Sequence, residues 1–261
     1  MSGTIVLRID RGPAGVAVGP DGRGRAVTEH EVVWDEFTTV LDALETLRGA
    51  SEPGLRYRHS CHHGSCGTCG AIVNGREALM CLTRLADLAP GPVTLEPLRS
   101  MNAVGDLAVD PSPLFSSLPE GAGYLRKSEV AHRGTREDDP AAPFLRFEAC
   151  IECGLCVSAC PAMPGRGDGT GLAANGAVPG AGGTPAAAFV GPAALAMADR
   201  DREERPSRLA ASLAFAAGMD GVAACRKTFA CSRACPQGVA PGRRIENLRK
   251  SLAAGKPEGK G

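Results

Sequence analysis

The sequence carries no net charge of either sign. Its 29 Lys and Arg residues offset 29 Asp and Glu, which excludes a nucleic-acid or polyanion binder held by bulk electrostatics. Aromatic residues are scarce, with 7 Phe, 2 Tyr and 1 Trp in 261 residues. The hydrophobic content is nevertheless 43%, so the core must be mostly small and aliphatic. Long apolar runs are also missing. The longest nearly apolar run, 186–198, includes Gly191 and Pro192 and falls short of the roughly 20 residues of a membrane span. The first ten residues lack a basic head, an apolar stretch and a small-residue cleavage site. They read as a strand, not a signal peptide. The expectation is a cytosolic chain, where disulfides are rare and clustered cysteines bind metal.

Against these absences stand 34 Gly, 20 Pro and 11 Cys. The first two predict much loop. The cysteines fall in three groups: 61, 66, 69 and 81; then 150, 153, 156 and 160; then 225, 231 and 235. The interval from 81 to 150 has no Cys but holds Asp110-Pro-Ser-Pro and the charged loop Arg133–Pro140. A domain boundary is expected there, dividing the chain into 1–108 and 109–261.

Residues 1–108 read as mixed sheet and helix. Gly3–Asp10 has strand character. Thr39 and Asp42 fit a capping box before a helix whose apolar face is Val40, Leu41, Leu44 and Leu47. Asn74-Gly75 between two apolar runs predicts a type I′ hairpin, and Pro92–Leu98 a further strand. Residues 109–261 read as helical, with helices expected over Pro192–Arg205, Ser207–Ala217 and Pro241–Ala254. Between them, about 161–188 is so rich in Gly, Ala and Pro that a flexible insertion is expected.

Cys61-x4-Cys66-x2-Cys69 followed by Cys81 has plant-type [2Fe–2S] spacing. Four thiolates can converge on two irons from a short loop, and Gly64, Gly67 and Gly70 permit the dihedrals that turn it inward. His62 and His63 do not complete a Rieske pattern, because no Cys-x2-His follows. They are read as loop residues.

Cys150-x2-Cys153-x2-Cys156-x3-Cys160-Pro161 is the bacterial ferredoxin run, whose fourth Cys serves the other cluster in two-cluster proteins. The third group repeats this run back from Cys235-Pro236, except that Thr228 stands where a Cys belongs. Exchange of the fourth Cys then gives Cys150, Cys153, Cys156 and Cys235 for a [4Fe–4S] cluster. Cys160, Cys225 and Cys231 remain as three thiolates suited to [3Fe–4S]. The alternative is a cubane with water or Thr228 as fourth ligand. Every cysteine is used.

At these residues the chain resembles the iron–sulfur subunit of succinate dehydrogenase and fumarate reductase. The similar stretches include Arg58-His-Ser-Cys61, Leu79-Met-Cys81, Pro97-Leu-Arg-Ser-Met101, Cys150-Ile-x-Cys-Gly-x-Cys156 and Cys231-Ser-Arg-Ala-Cys-Pro236. The resemblance implies an α+β architecture, an N-terminal β-grasp [2Fe–2S] domain followed by an all-α ferredoxin-like domain. It also implies a role: relay of electrons between the FAD of a flavoprotein subunit and a membrane quinone. A haem-binding membrane-anchor subunit would hold the chain at the cytoplasmic face of the bacterial inner membrane. With no Gly-x-Gly-x-x-Gly, the chain itself should not bind the flavin. The competing reading is a soluble electron carrier for another flavoenzyme.

By the same resemblance Pro161, Arg226 and Thr228 lie in the quinone vicinity. Ubiquinone-using members carry a Trp pair where Met163 and Pro164 stand and a His at Arg226, so menaquinone is the expected acceptor. The cations among residues 225–250 outnumber Glu246, their one acidic neighbour. They read either as a face toward anionic headgroups or as an ordinary solvated helix face.

Overall fold

The computed structural model describes residues 2–11, 26–119, 150–163 and 189–254. The Arg133–Pro140 loop and the bulk of the Gly/Ala/Pro-rich insertion, 164–188, lie outside the described residues.

Strand β1 (Ser2–Arg11) buries Ile5, Leu7 and Ile9 and turns Arg8 outward, the period-two pattern of a sheet with one face on a core. It pairs antiparallel with β2 (Ala26–Asp35) over its whole length, from Ser2↔Asp35 to Arg11↔Ala26. Strands β3 (Gly70–Val73) and β4 (Arg76–Leu79) form the expected hairpin. Asn74 and Gly75 take φ of 48° and 77°, the positive pair a type I′ turn requires. Strand β5 (Val93–Glu96) lies parallel to β1 and antiparallel to β3, giving the order β2-β1-β5-β3-β4. Helix α1 (Val40–Ala50) starts at the expected Thr39/Asp42 capping box and buries Val40, Leu41, Leu44 and Leu47. The helix and the sheet share one core, which makes this half a β-grasp domain.

Among the strands and α-helices up to residue 119, three features had no sequence prediction. Strand β2 is one. Its outward Val27 and Val33 and its charged Glu29 and Glu31 give no clean alternation, because it is an edge strand whose residues are largely exposed. The short hairpin β6 (Asn102–Gly105) and β7 (Ala108–Asp110) is another. It is held by Asp106, which accepts from Arg11 Nε at 3.0 Å and from the Arg56 backbone N–H at 2.8 Å. Arg11 also donates to Glu52. The third is helix α2 (Ser112–Ser116).

The second half is helical: α3 (Leu155–Ser158), α4 (Pro192–Glu204), α5 (Leu209–Ala217), α6 (Ala230–Arg233) and α7 (Pro241–Ala254). The stretch expected as one helix from Ser207 begins instead with a 3-10 turn, Pro206–Arg208. Helix α4 is central, with Ala194 to Asp201 all buried. Its buried carboxylates are paired, as desolvated charges must be. Asp199 accepts from Arg202 at 2.8 Å and Arg244 at 3.2 Å, and Asp201 from Arg208 at 3.0 Å. Two cations of the 225–250 run are thereby internal. Arg244 closes on helix α4, and Arg249 donates to the carbonyl of Cys225 at 3.1 Å and to that of Val222. Arg226, Lys227, Arg243 and Lys250 stay exposed.

Candidate metal centres

The 61–69 loop bends inward through three left-handed residues, His62 (φ 61°), Gly64 (76°) and Gly67 (71°). This aims backbone N–H groups at sulfur: Ser65 and Cys66 donate to Cys61 Sγ at 3.2 and 3.3 Å. The N–H of His63 and then these two hold the Cys61 thiol down to about 6, since hydrogen bonds to a thiolate favour the charged form. Cys66 Sγ lies 3.2 Å from Thr68 Oγ1. Cys69 leads into β3, and Cys81 sits in the 3-10 turn Met80–Leu82 after β4; their sulfurs are 3.3 Å apart. Both are buried, and burial pushes the Cys69 thiol up to about 12. His63 Nδ1 meets the Cys61 carbonyl, while His62 turns toward Glu45 and His59.

Cys150, Cys153, Cys156 and Cys235 line one cavity, walled by Leu114, Leu118, Met197 and Val239. Burial pushes Cys153 up to about 11 and Cys156 well above the ordinary thiol value, and the other thiols of this set add to both. Cys160, Cys225 and Cys231 line a second cavity together with Pro161, Arg226 and Thr228. Here burial, then Cys160 and Cys225, push Cys231 up to about 11. Both sets are sulfur-rich and free of disulfides, a donor set suited to iron–sulfur ligation once the thiols lose their protons. The first is walled mainly by apolar residues, whereas Arg226, Lys227 and Glu246 also border the second.

The two runs repeat each other in backbone as well as in spacing. Glu152 (φ 52°) and Gly154 (75°) flank Cys153, and helix α3 follows; Lys227 (55°) and Phe229 (56°) flank Thr228, and helix α6 follows. Thr228 therefore occupies the backbone slot of Cys153 with a hydroxyl in place of a thiol. The positive φ at Lys227 and Phe229 had no local sequence signal, since neither is a Gly or Asn.

The three thiol groups follow one another closely. A Cβ added at Gly67 would lie 2.7 Å from Cys153 Cβ and 2.7 Å from the Ile151 carbonyl oxygen, so the first loop rests directly on the second. Gln237, two residues beyond Cys235, donates its side-chain N–H to the Gly64 carbonyl at 2.9 Å. Helix α3, which carries Cys156, in turn packs against helix α6, which carries Cys231. A second seam ties the halves together, where Ser158 donates to Glu77 and accepts from the Arg99 N–H. Gln237, Gly67 and Ser158 were not singled out for these contacts by the sequence, because each acts on a distant residue.

Two family models match. Residues 18–116 fit the 2Fe-2S iron-sulfur cluster binding domain and 146–239 the 4Fe-4S dicluster domain. The fumarate reductase iron-sulfur subunit of Mycobacterium tuberculosis is 33% identical over 229 residues, 86% of this chain and 85% of that protein. The chain belongs to the family of fumarate reductase and succinate dehydrogenase iron–sulfur subunits. A succinate dehydrogenase iron-sulfur subunit of Coxiella burnetii is 29% identical, covering 82% of this chain and 83% of its own. A chain of the Mycobacterium smegmatis Sdh1 complex in the apo form superposes with a TM-score of 0.68 at 22% identity, covering 100% of both chains, which shows the shared fold. As a member of this family the chain is an electron-transfer subunit of an oxidoreductase, with a [2Fe–2S] domain before a [4Fe–4S]-type domain. Among the described residues no helix is long and apolar enough to cross a membrane.

Proposed function

We propose that this chain carries electrons between the FAD of a separate flavoprotein subunit and a membrane quinone. Cys61, Cys66, Cys69 and Cys81 would hold [2Fe–2S], and Cys150, Cys153, Cys156 and Cys235 would hold [4Fe–4S]. Cys160, Cys225 and Cys231 would hold [3Fe–4S]. The [2Fe–2S] domain would span 1–108 and the helical domain 109–261. The observation that carries this reading is the succession of thiol groups, with Gly67 against Cys153 and the helix of Cys156 packed on the helix of Cys231.

When bound, iron–sulfur clusters supply one-electron redox centres whose potential follows cluster type, charge, hydrogen bonds and solvent exposure. The protein's own part is to set those variables. The N–H groups of His63, Ser65 and Cys66 offset negative charge at the exposed edge of the first loop. Apolar walls keep water from the second site. At the third, a threonine hydroxyl is a hard, un-ionised and therefore poor iron ligand beside thiolates, which favours three irons.

Pro161, Arg226 and Thr228 border this last group, and the quinone, of the menaquinone type, would sit beside them. A haem-binding membrane-anchor subunit would cover this end at the cytoplasmic face of the bacterial inner membrane. The test is an EPR redox titration of the anaerobically purified chain in complex with its flavoprotein. Three signals are expected: a reduced [2Fe–2S], a reduced [4Fe–4S] and an oxidised [3Fe–4S]. Protein that is colourless and holds zinc, or that gives no oxidised [3Fe–4S] signal, overturns the assignment.

A further inference from the structure

On the outer side of the first thiol loop, three side chains that take no part in the thiol groups converge. Glu45 comes from helix α1, His59 from the extended segment before Cys61, and His62 from the loop itself. Glu45 Oε1 lies 3.2 Å from His59 Nδ1 and 3.5 Å from His62 Nε2, and the two ring nitrogens are 3.2 Å apart. The three donor atoms thus form a nearly equilateral triangle.

Hydrogen bonding gives that triangle at most one shared proton between the two rings and the carboxylate. If both imidazoles donate to Glu45, two N–H groups face each other across 3.2 Å. If one donates to the other, Glu45 must share that single proton or turn to solvent. A cation in the centre satisfies all three lone pairs at once. The size fits a zinc-type ion. Tetrahedral zinc, with Zn–N and Zn–O of roughly 2.0–2.2 Å, separates its ligand atoms by about 3.3–3.5 Å, close to the edges seen. Two His nitrogens and one carboxylate leave a fourth position free, and His62 at 39% side-chain exposure leaves room there for water. The ring of His62 reaches this point because its backbone is left-handed, φ 61°.

We propose that Glu45 Oε1, His59 Nδ1 and His62 Nε2 bind one zinc-type divalent cation, with solvent in the fourth position. One nearby group opposes binding. Arg48 Nη2 lies 3.4 Å from His59 Nε2, with its guanidinium 4.7 Å above the Tyr57 ring. Ligation through Nδ1 leaves the proton on Nε2, so a donor would face a donor, and the guanidinium charge repels the cation. Arg48 therefore weakens the site. Because His62 adjoins Cys61, a dication here also favours the more negative, reduced state of the first centre and raises its potential.

The experiment is Zn2+ titration by calorimetry of the cluster-loaded full chain, after a chelator wash that leaves iron content unchanged. One Zn2+ per chain is expected. Glu45→Gln and His59→Gln should each weaken it at least roughly tenfold, as loss of one ligand requires, and Arg48→Ala should tighten it. Co2+ provides a second readout independent of folding differences. Bound Co2+ should speed relaxation of the reduced [2Fe–2S] EPR signal in the wild type and not in Glu45→Gln. Absence of saturable binding at millimolar Zn2+ overturns the proposal. So does binding that is equally tight in Glu45→Gln and His59→Gln.

Discussion

Replacing Gly67 by alanine tests the contact on which the relay rests. Two costs add. Gly67 has φ 71°, and an L-residue there costs roughly 1–2 kcal/mol. The new methyl would also stand 2.7 Å from Cys153 Cβ, 2.7 Å from the Ile151 carbonyl oxygen and 2.9 Å from Cys153 Cα. Ordinary contact needs about 3.5–4.0 Å, and none of these atoms is the tip of a flexible side chain. The two loops must move apart, and overpacking of this kind costs about 1–3 kcal/mol. The total is about 2–5 kcal/mol. At 1.4 kcal/mol per decade, the lower bound corresponds to a rise of about 30-fold in the population of opened protein. Anaerobic bleaching of the visible iron–sulfur absorption at fixed temperature reads that population when reclosing outpaces cluster loss. Gly75→Ala is the control. Its φ is 77°, but an added Cβ there meets nothing within 4 Å, so it carries only the backbone cost. Gly67→Ala should bleach faster than Gly75→Ala by roughly fivefold or more, from the overpacking share alone. It should also weaken the magnetic coupling between the reduced [2Fe–2S] and [4Fe–4S] centres. Equal bleaching of the two variants with unchanged coupling would refute the close approach of the loops.

Thr228→Cys should supply the missing thiolate in a backbone slot already shaped like that of Cys153. The oxidised [3Fe–4S] EPR signal should disappear, a lower-potential [4Fe–4S] centre should replace it, and electron delivery to quinone should slow more than delivery to artificial acceptors. Arg11→Met should destabilise the first domain by about 2–3 kcal/mol at neutral pH, because it strips a charged hydrogen bond from buried Asp106 and another from Glu52; thermal unfolding measures this. Arg11 holds the Glu52 carboxyl below its ordinary value of 4.5. The stability this contributes is present above that value and fades as pH falls through the lower folded one, so the gap between wild type and Arg11→Met should narrow in acid. Turnover of the reconstituted complex should prefer menaquinone analogues, and a clear preference for ubiquinone analogues would count against the reading of Met163, Pro164 and Arg226.

The parts of this protein that could be read from its residues are those whose causes are local. Cysteine spacing is a statement about how a short loop can reach a cluster, so the grouping of the cysteines was open to reading, and the structure lines one cavity with Cys150, Cys153, Cys156 and Cys235 and another with Cys160, Cys225 and Cys231. Asn74-Gly75 and the Thr39/Asp42 box act within four residues and stand where expected. What needed the tertiary structure is what depends on distant partners. Strand β2 exists because ten residues of β1 need an antiparallel neighbour, not because its own pattern alternates. Arg244 looked like a surface charge until helix α4 brought Asp199 to it. Gln237 acts on a carbonyl 173 residues away, and Gly67 is required by the approach of Cys153. Glu45, His59 and His62 each look ordinary along the chain; they become a triangle only when helix α1 packs beside the cysteine loop.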